Sequence, residues 1–555
     1  MSVSEREIKK SELVFVPLGG AAEIGMNMNL YHFDGKWLMV DLGIAFGDDS
    51  TPGIDVLVPD PSFIEARRED LVGLVVTHGH EDHIGGIPYL WDRLRCPIYA
   101  TPFTASLIRR KLSEAGLQPR AEVIEMTAAD RITVAPFDLE LVSLTHSIPE
   151  PNGLILRCGK YTVWHTGDWK FDTDPQIGEK TDLTALVRLA EQGVTAMVCD
   201  STNADIPGET GSEGSLLGSL TKLFARQRGK IAVACFASNV ARLRTIALAA
   251  KNNERHVALV GRSLWRIYEV AKEHGYLLDV PAFLSEKDVG FLPDNKTVMI
   301  CTGSQGEPRA ALSRIADNSH PQVSLTQGDV LIFSSRQIPG NEKAISRMQS
   351  KLLGRGVNII TGQNSHVHVS GHPSREEMVV MYQTIKPEIA IPVHGEARHL
   401  SAHAAIAKEC QVPQVVVPEN GSVVRLAPGS AEVIFNVETH NLAVDGKRLT
   451  RLDSAVIRDR RKLLYNGSVL LTVILDRKGF CADPPIITVI GVPLDFKDDF
   501  EGGIISLLQG EINSSVYEER CSDEFIKALT TKLVKRSIRE TYGKQPMISI
   551  HLIRS

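Results

Sequence analysis

The chain has 555 residues, 43% of them hydrophobic and 23% charged, with 61 basic against 67 acidic side chains for a net charge of −6. That length exceeds one compact core, so several domains are expected, and the composition is that of an ordinary globular protein. No apolar run approaches the roughly 18 residues of a membrane span, and an acidic surplus argues against a basic nucleic-acid coat protein while leaving room for a locally basic cleft. Residues 1–10 are polar and mixed in charge, without the apolar core of a signal peptide. The eight cysteines are scattered and form no CxxC pair. Both features predict a cytoplasmic protein with reduced thiols and no membrane association.

In chain order, residues 13–18 (LVFVPL) read as a strand closed by Gly19-Gly20. Residues 28–33 and 36–41 read as a hairpin around Asp34-Gly35, a strong turn signal. Strand-like runs alternate with short helical patterns up to about residue 210, as in a sheet-rich sandwich flanked by helices. From Ser212 the pattern becomes βα repeats, with continuous apolar runs at 230–236, 257–261, 297–301 and 330–334. Such runs suit buried parallel strands. Residues 439–462 read as a linker, with Arg458, Arg460, Arg461 and Lys462 close together. Strands at 468–475 and 486–490, helices near 504–517 and 523–542, and a closing strand at 547–553 make a final small α/β domain. Lys532, Lys535, Arg536 and Arg539 read as its solvated helix face.

The densest chemistry lies in Thr77-His78-Gly79-His80-Glu81-Asp82-His83, directly after the apolar run 71–76 (LVGLVV). His78 and His80 are two apart, so a locally extended backbone points both imidazoles to one side. Asp82 and His83 follow on a turn and can face a second position. Imidazole and carboxylate suit zinc, manganese and similar ions. A polar surface turn would look the same locally, but three distant segments offer further ligands. His146 ends the run 141–146, Asp168 closes 161–168, and His394 follows 389–393. Each stands at the C-terminal end of a strand-like run, where α/β proteins gather their sites.

This turn, with Asp41 upstream in 40–43 (VDLG), resembles the metallo-β-lactamase fold superfamily, and His146 and Asp168 match its later metal motifs. The resemblance implies two divalent ions, zinc first and manganese as the alternative. One would take His78, His80 and His146, the other Asp82, His83 and His394. Asp168 would bridge them, and Asp41 would orient ligands by hydrogen bonds. Asp200 in 199–203 (CDSTN), residues 236–239 (FASN), 303–307 (GSQGE), 366–372 (HVHVSGH) and 392–396 (PVHGE) narrow the match. Together they resemble the bacterial ribonuclease J group of the β-CASP nucleases, over nearly the whole chain. Pro373 departs from the pattern, where a small non-proline residue is expected.

The resemblance implies a metallo-β-lactamase αββα sandwich in two parts, 1–211 and 355–438, interrupted by an inserted β-CASP α/β domain at 212–354. The linker 439–462 and a C-terminal α/β domain at 463–555 follow. It implies a two-metal ribonuclease on single-stranded RNA, a 5′-to-3′ exonuclease favouring 5′-monophosphate ends and also an endonuclease, in RNA decay and ribosomal RNA maturation. It also implies a homodimer or homotetramer.

Ser370, Gly371 and His372 offer a hydroxyl, an unhindered amide and an imidazole that suit a phosphate. Ser238 and Asn239 would add donors from the opposite wall, or cap a helix. His366 reads as structural, and His368 as a further RNA contact. Asp82 is the candidate proton acceptor, His372 the group on the scissile phosphate, and Asp200 the partner of His394 or a neighbouring imidazole. Two other classes share part of the pattern. A small-molecule metallohydrolase would not need the inserted lobe. An RNA-binding subunit with a dead site would not keep every ligand position filled.

Overall fold

The computed structural model describes residues 8–48, 50–128, 130–338, 340–494 and 497–555; residues 1–7 of the polar opening stretch lie outside them. The chain divides into two units, residues 1–45 with 57–441 and residues 46–56 with 442–555.

In the larger unit two mixed sheets stack face to face. Leu13–Gly19, Met28–Phe33, Lys36–Val40 and Leu71–Val75 lie at the centre of an eight-stranded sheet. Phe137–Ser143, Asn152–Cys158, Tyr161–His165, Ala196–Asp200 and Ile389–Val393 make up most of a seven-stranded one. Leu13, Phe15, Tyr31 and Val75 of the first sheet share a buried core with Leu139, Leu154, Val163, Val198 and Ile391 of the second. The alternate positions Val142, Ile155, Trp164, Met197 and Ala390 point the other way. They pack with Leu186, Met378, Tyr382 and Ile406 from helices Leu183–Gln192, Arg375–Ile385 and Ala397–Glu409. Side chains alternate with period two along a strand. With both faces covered, the strands therefore show no polar alternation, which is why they read as unbroken apolar runs. Helix Pro102–Glu114 packs on strands Ile98–Ala100 and Val123–Glu125 of the first sheet, and the layers are αββα. The hairpin at Asp34-Gly35 forms as expected, with positive φ at both residues (48° and 77°).

Strands Ala196–Asp200 and Ile389–Val393 are parallel neighbours in the second sheet. Between them the chain leaves the sandwich and builds a separate sheet. Its order is Leu284–Ser285, His256–Val260, Thr297–Cys301, Ile231–Ala234, Val330–Phe333, Asn358–Ile360, and every pair is parallel. The last of these strands runs past residue 354, the expected end of the insertion. It is short and half exposed, so no apolar run marks it in the sequence.

In the smaller unit, strands Ser468–Leu475, Ile486–Ile490 and Met547–Arg554 form a three-stranded sheet covered by apolar residues of helices Lys497–Ser514 and Asp523–Tyr542. The stretch expected as a linker is regular instead. It holds the hairpin Asn441–Asp445 with Arg448–Arg451, and then most of helix Ala455–Asn466. Arg460 is paired with Asp445 there. The hairpin strands are short, and only Leu442 and Ala443 in them are buried, so their periodicity is weak. No helix among the described residues is long and apolar enough to cross a membrane. All eight cysteines are free thiols, five of them buried.

Gly153 faces the indole of Trp164, which is fully buried. A Cβ at position 153 would lie 2.2 Å from Trp164 Cη2. Gly153→Ala is therefore expected to destabilise the sandwich by about 1–3 kcal/mol, read as a lowered Tm in thermal denaturation. An unchanged Tm would show that the indole has room to move.

Candidate metal centre

Six strand ends deliver polar residues to one edge of the sandwich. Asp41 follows Lys36–Val40, and the His78 turn follows the parallel strand Leu71–Val75. His146 follows Phe137–Ser143 and Asp168 follows Tyr161–His165. Asp200 ends the next parallel strand, and His394 follows the one after. All seven expected ligands converge. The ligand atoms of His78, His80, His146 and Asp168 lie within 4.8 Å of one another, as do those of Asp82, His83, Asp168 and His394.

In the first group His78 Nε2 and His146 Nε2 stand 3.0 and 3.1 Å from His80 Nδ1. Nitrogens bound to one tetrahedral ion at about 2.0–2.1 Å lie roughly 3.3 Å apart, so this spacing fits a shared cation. Asp168 Oδ2 is 3.7 Å from both His78 Nε2 and His146 Nε2. In the second group His83 Nε2 stands 3.3 Å from Asp168 Oδ2 and 3.6 Å from Asp82 Oδ2. His394 Nε2 is 3.6 Å from Asp168 Oδ1 and 3.7 Å from Asp82 Oδ2. The Asp168 carboxylate thus faces both groups.

The outer nitrogens decide which tautomers these rings adopt. His83 Nδ1 donates to Asp41 Oδ2 at 2.7 Å, His146 Nδ1 to the Gly371 carbonyl at 2.6 Å, and His394 Nδ1 to Asn27 Oδ1 at 3.1 Å. In His146 and His394 this leaves Nε2 as the nitrogen that faces the carboxylates. His394 Nε2 is buried with no hydrogen-bond partner at all. A lone pair facing carboxylate oxygens at this distance is unfavourable until a proton or a metal cation stands between them, so the donor set fits metal ions. Burial pushes the His78 and His146 imidazoles well below their ordinary value, with their neighbouring rings adding to it, and burial lowers His80 to about 4. Neutral imidazole is the form that ligates. At His83 burial also pushes downward, but Asp168, Asp82 and Asp41 outweigh it and hold the ring well above the usual value. The same carboxylates that favour a proton there would favour a metal cation.

Asp41 and His394 both adopt left-handed backbone, at φ 62° and 52°. Such non-glycine conformations persist only where the surroundings enforce them. Asp41 is held by Thr77, whose amide donates to Oδ1 at 2.8 Å. The His394 amide donates to the Gly20 carbonyl at 2.6 Å.

Beside the ligands, Asp200 Oδ2 accepts from His372 Nδ1 at 2.8 Å, while its Oδ1 accepts from the Thr202 amide and hydroxyl at 2.9 and 2.7 Å. Of the two partners expected for Asp200, it is the neighbouring imidazole that it touches. Burial lowers the His372 pKa, but Asp200 and Asp168 raise it more, to about 9. Near neutral pH this ring is an imidazolium stacked on His394 at 5.7 Å. The Ser370 hydroxyl accepts from Asn203 Nδ2 at 2.9 Å and from the His372 amide at 3.2 Å, so its own proton is left to donate elsewhere.

The remaining expected contacts divide. Gly371 lends its carbonyl to His146, and a Cβ there would stand 2.7 Å from the His146 ring. Asn239 caps helix Val240–Lys251, its Oδ1 accepting from the Arg242 amide at 2.8 Å, and Ser238 just before it is half buried. His368 Nδ1 faces Arg242 Nη1 at 3.3 Å. Its ring is held well below the ordinary value by burial and by that arginine. His366 Nε2 lies 2.8 Å from the Ser215 hydroxyl, which itself donates to the Ser212 carbonyl at 2.7 Å.

Sequence reading missed Asn27, Asn203 and Arg242. Asn27 holds His394 and donates to the Asp82 carbonyl at 3.1 Å. Its signal was available, since the glycine-rich loop 19–27 follows a strand as the other ligand loops do. Asn203 belongs to the quoted CDSTN motif. Arg242 sits in an apolar helix, and nothing local distinguishes it from a surface arginine.

The turn carrying Asp82 lies against Gly43, where a Cβ would stand 1.7 Å from the Asp82 carbonyl oxygen. Gly43→Ala must push that turn outward. It is expected to weaken metal binding about 10–100-fold, the range for lost support of a ligand, as measured by metal titration. Unchanged affinity would mean that the turn yields without moving Asp82.

Three family models match the chain. Residues 51–191 match the beta-lactamase superfamily domain, 228–352 the ribonuclease J beta-CASP domain, and 357–417 the Zn-dependent metallo-hydrolase RNA specificity domain. A ribonuclease J of Sinorhizobium meliloti is 40% identical over 98% of this chain and 97% of its own length. One from Corynebacterium glutamicum is 38% identical over 96% of this chain and 74% of its own. A crystal structure of a protein of unknown function from Enterococcus faecalis shares the fold, at 15% identity and a TM-score of 0.53 over 75% of this chain and all of that one. With a β-CASP domain inserted in a metallo-β-lactamase fold and identity of this extent along nearly its whole length, the chain belongs to the ribonuclease J family.

Proposed function

We propose that the chain is a two-metal ribonuclease that hydrolyses single-stranded RNA in the 5′-to-3′ direction, favours 5′-monophosphate ends and also cuts internally. The observation that carries this reading is the pair of donor groups sharing Asp168, in a chain of the ribonuclease J family. His78, His80 and His146 would hold one divalent ion, and Asp82, His83 and His394 the other, with Asp168 shared. Zinc suits this nitrogen-rich set best, with manganese as the alternative. Bound there, the ions supply Lewis acidity, activating water and stabilising charge on the phosphate oxygens.

The chain's own residues supply the rest. Asp82 has the least buried carboxylate of the ligand set, with its side chain 30% exposed, and is placed to accept a proton from the attacking water. His372, charged and anchored on Asp200, meets the negative phosphate and stabilises its transition state. The Ser370 hydroxyl donates to a phosphate oxygen, its lone pairs already taken by Asn203 and the His372 amide. Asp200 orients His372 and touches no substrate. The products would carry a 3′-hydroxyl and a 5′-phosphate. Ser238, Asn239 and His368 remain part of the proposed RNA path through the backbone they organise. Assembly as a dimer or tetramer, and a cytoplasmic role in RNA decay and ribosomal RNA maturation, belong to the same reading and rest on the family resemblance.

His80→Ala is expected to cut the hydrolysis rate by on the order of 10²-fold or more while the protein stays folded; a folded variant of full activity would end the metal mechanism. The direct test is a time course on labelled single-stranded RNA with a 5′-monophosphate, beside a 5′-triphosphate copy, with metal stripped and restored. Early mononucleotides, faster from the monophosphate and only with metal, are expected. Internal fragments alone from both RNAs would remove the 5′-end preference. No cleavage by metal-loaded protein would favour a small-molecule hydrolase.

A further inference from the structure

The chain returns from the insertion to the sandwich through residues 361–374, which carry Ser370, Gly371 and His372. Arg242, in the first turn of the insertion's helix Val240–Lys251, is fully buried against this segment. Its Nε and Nη2 donate to the two oxygens of Glu213 at 2.6 and 2.9 Å. Its Nη1 donates to the carbonyl and hydroxyl of Ser334 at 2.7 and 2.6 Å. Nη2 also reaches the Val369 carbonyl at 3.3 Å. Ser334, just past the insertion's strand Val330–Phe333, donates its hydroxyl to the Val367 carbonyl at 2.6 Å. The carbonyls of residues 367 and 369 are therefore both held from the inserted domain. From the other side the sandwich holds the same loop. Asn203 and Thr210 donate to the His372 carbonyl at 3.1 and 2.7 Å, and Asp200 holds the ring.

We propose that Arg242 is a positioning residue that sets where Ser370 and His372 stand over the donor cluster, by tying residues 367–369 to the inserted domain. The inference rests on the ribonuclease reading for its catalytic consequence. The physical basis is the stiffness of a buried guanidinium. Its planar fork meets Glu213 and Ser334 together in one orientation only, and a buried charge does not tolerate losing a partner. The Asn239 cap on the Arg242 amide fixes the root of the side chain. The loop cannot drift from the insertion without breaking this set, so the lobe that would cover RNA and the histidine that would meet its phosphate move as one. His368, neutral against Arg242, fills the remaining space without adding a second charge.

The test uses the full chain loaded with manganese and 5′-monophosphorylated single-stranded RNA. In Arg242→Met with Glu213→Leu the buried pair becomes apolar, an exchange that cores often accept. The expected result is a near-normal Tm and metal content with kcat at saturating RNA lowered about tenfold or more, the scale of a small misplacement. A folded double variant with wild-type kcat would overturn the proposal. Should that variant fail to fold, Arg242→Lys decides: it keeps the charge but loses the fork, and about a fivefold lower kcat with normal metal content is expected. Wild-type kcat, or a loss that tracks lost metal, would overturn the proposal too. Carbon-13 histidine spectra of the zinc-loaded protein, free of paramagnetic broadening, give a readout independent of cleavage. The His372 resonance, identified by its absence in His372→Ala, should shift in both Arg242 variants, and an unmoved resonance refutes the idea. Failure of the unsubstituted protein to cleave RNA would instead reject the ribonuclease reading, and the His372 resonance would still judge Arg242.

Discussion

One buried carboxylate, Asp168, stands between the two halves of the donor cluster, and the rest of the site is arranged around its charge. It lies 3.3–3.8 Å from ring nitrogens of His78, His83, His146, His372 and His394. Burial alone would raise its pKa, but His394, His83 and His372 outweigh that and hold it well below the usual carboxylate range. An ionised carboxylate this deep must be compensated by positive charge. Protons on the rings can do this in part, and cations between the rings would do it fully. Asp168 can occupy the position because Gly167 before it takes a positive φ of 56° and lies close against Thr77. That contact joins a strand end of one sheet to the ligand turn of the other.

The ligands are only as well aimed as the groups behind them. Asp41, Asn27 and the Gly371 carbonyl each hold one ring nitrogen and so aim the opposite nitrogen into the donor cluster. Two of these partners lie near the start of the chain, at residues 27 and 41, and the third at residue 371. Asp41 and Thr77 form one unit, since Thr77 donates to Asp41 through both its amide and its hydroxyl. Gly371 belongs to two functions at once. Its carbonyl orients His146, and its neighbours Ser370 and His372 face the proposed phosphate. The proposed phosphate contacts are therefore coupled to the donor cluster through Gly371 as well as through His372, which stacks on His394.

The insertion leaves after Asp200 at the ligand-bearing edge, and its return loop comes back to that edge at His372 before helix Arg375–Ile385 leads to the next parallel strand. A second seam ties the lobes together on the surface. Arg110 pairs with Glu269 and Glu273, and Arg266 with Glu114, between helices Pro102–Glu114 and Arg262–Glu273. Exposed pairs of this kind contribute little each and weaken with salt. The buried Arg242 set is a different matter, because none of its members can turn to water instead.

Much of this protein could be read before folding. The ligand turn, the strand ends bearing His146, Asp168 and His394, the parallel sheet of the insertion and the hairpin at Asp34-Gly35 are local patterns. Short-range backbone geometry dictates them, so sequence determined them by itself. What it left open were matters of distance. The partner of Asp200, the role of His368, the support from Asn27 and the burial of Arg242 depend on which segments meet after two sheets stack and an inserted domain docks. The same holds for the short hairpin at 441–451 and the strand Asn358–Ile360, whose weak periodicity carries little signal alone. Local sequence specifies which side chains can bind a metal or a phosphate, because that is a property of the residues. Tertiary structure decides which nitrogen carries the proton and which carboxylate stays charged, because those depend on neighbours hundreds of residues away.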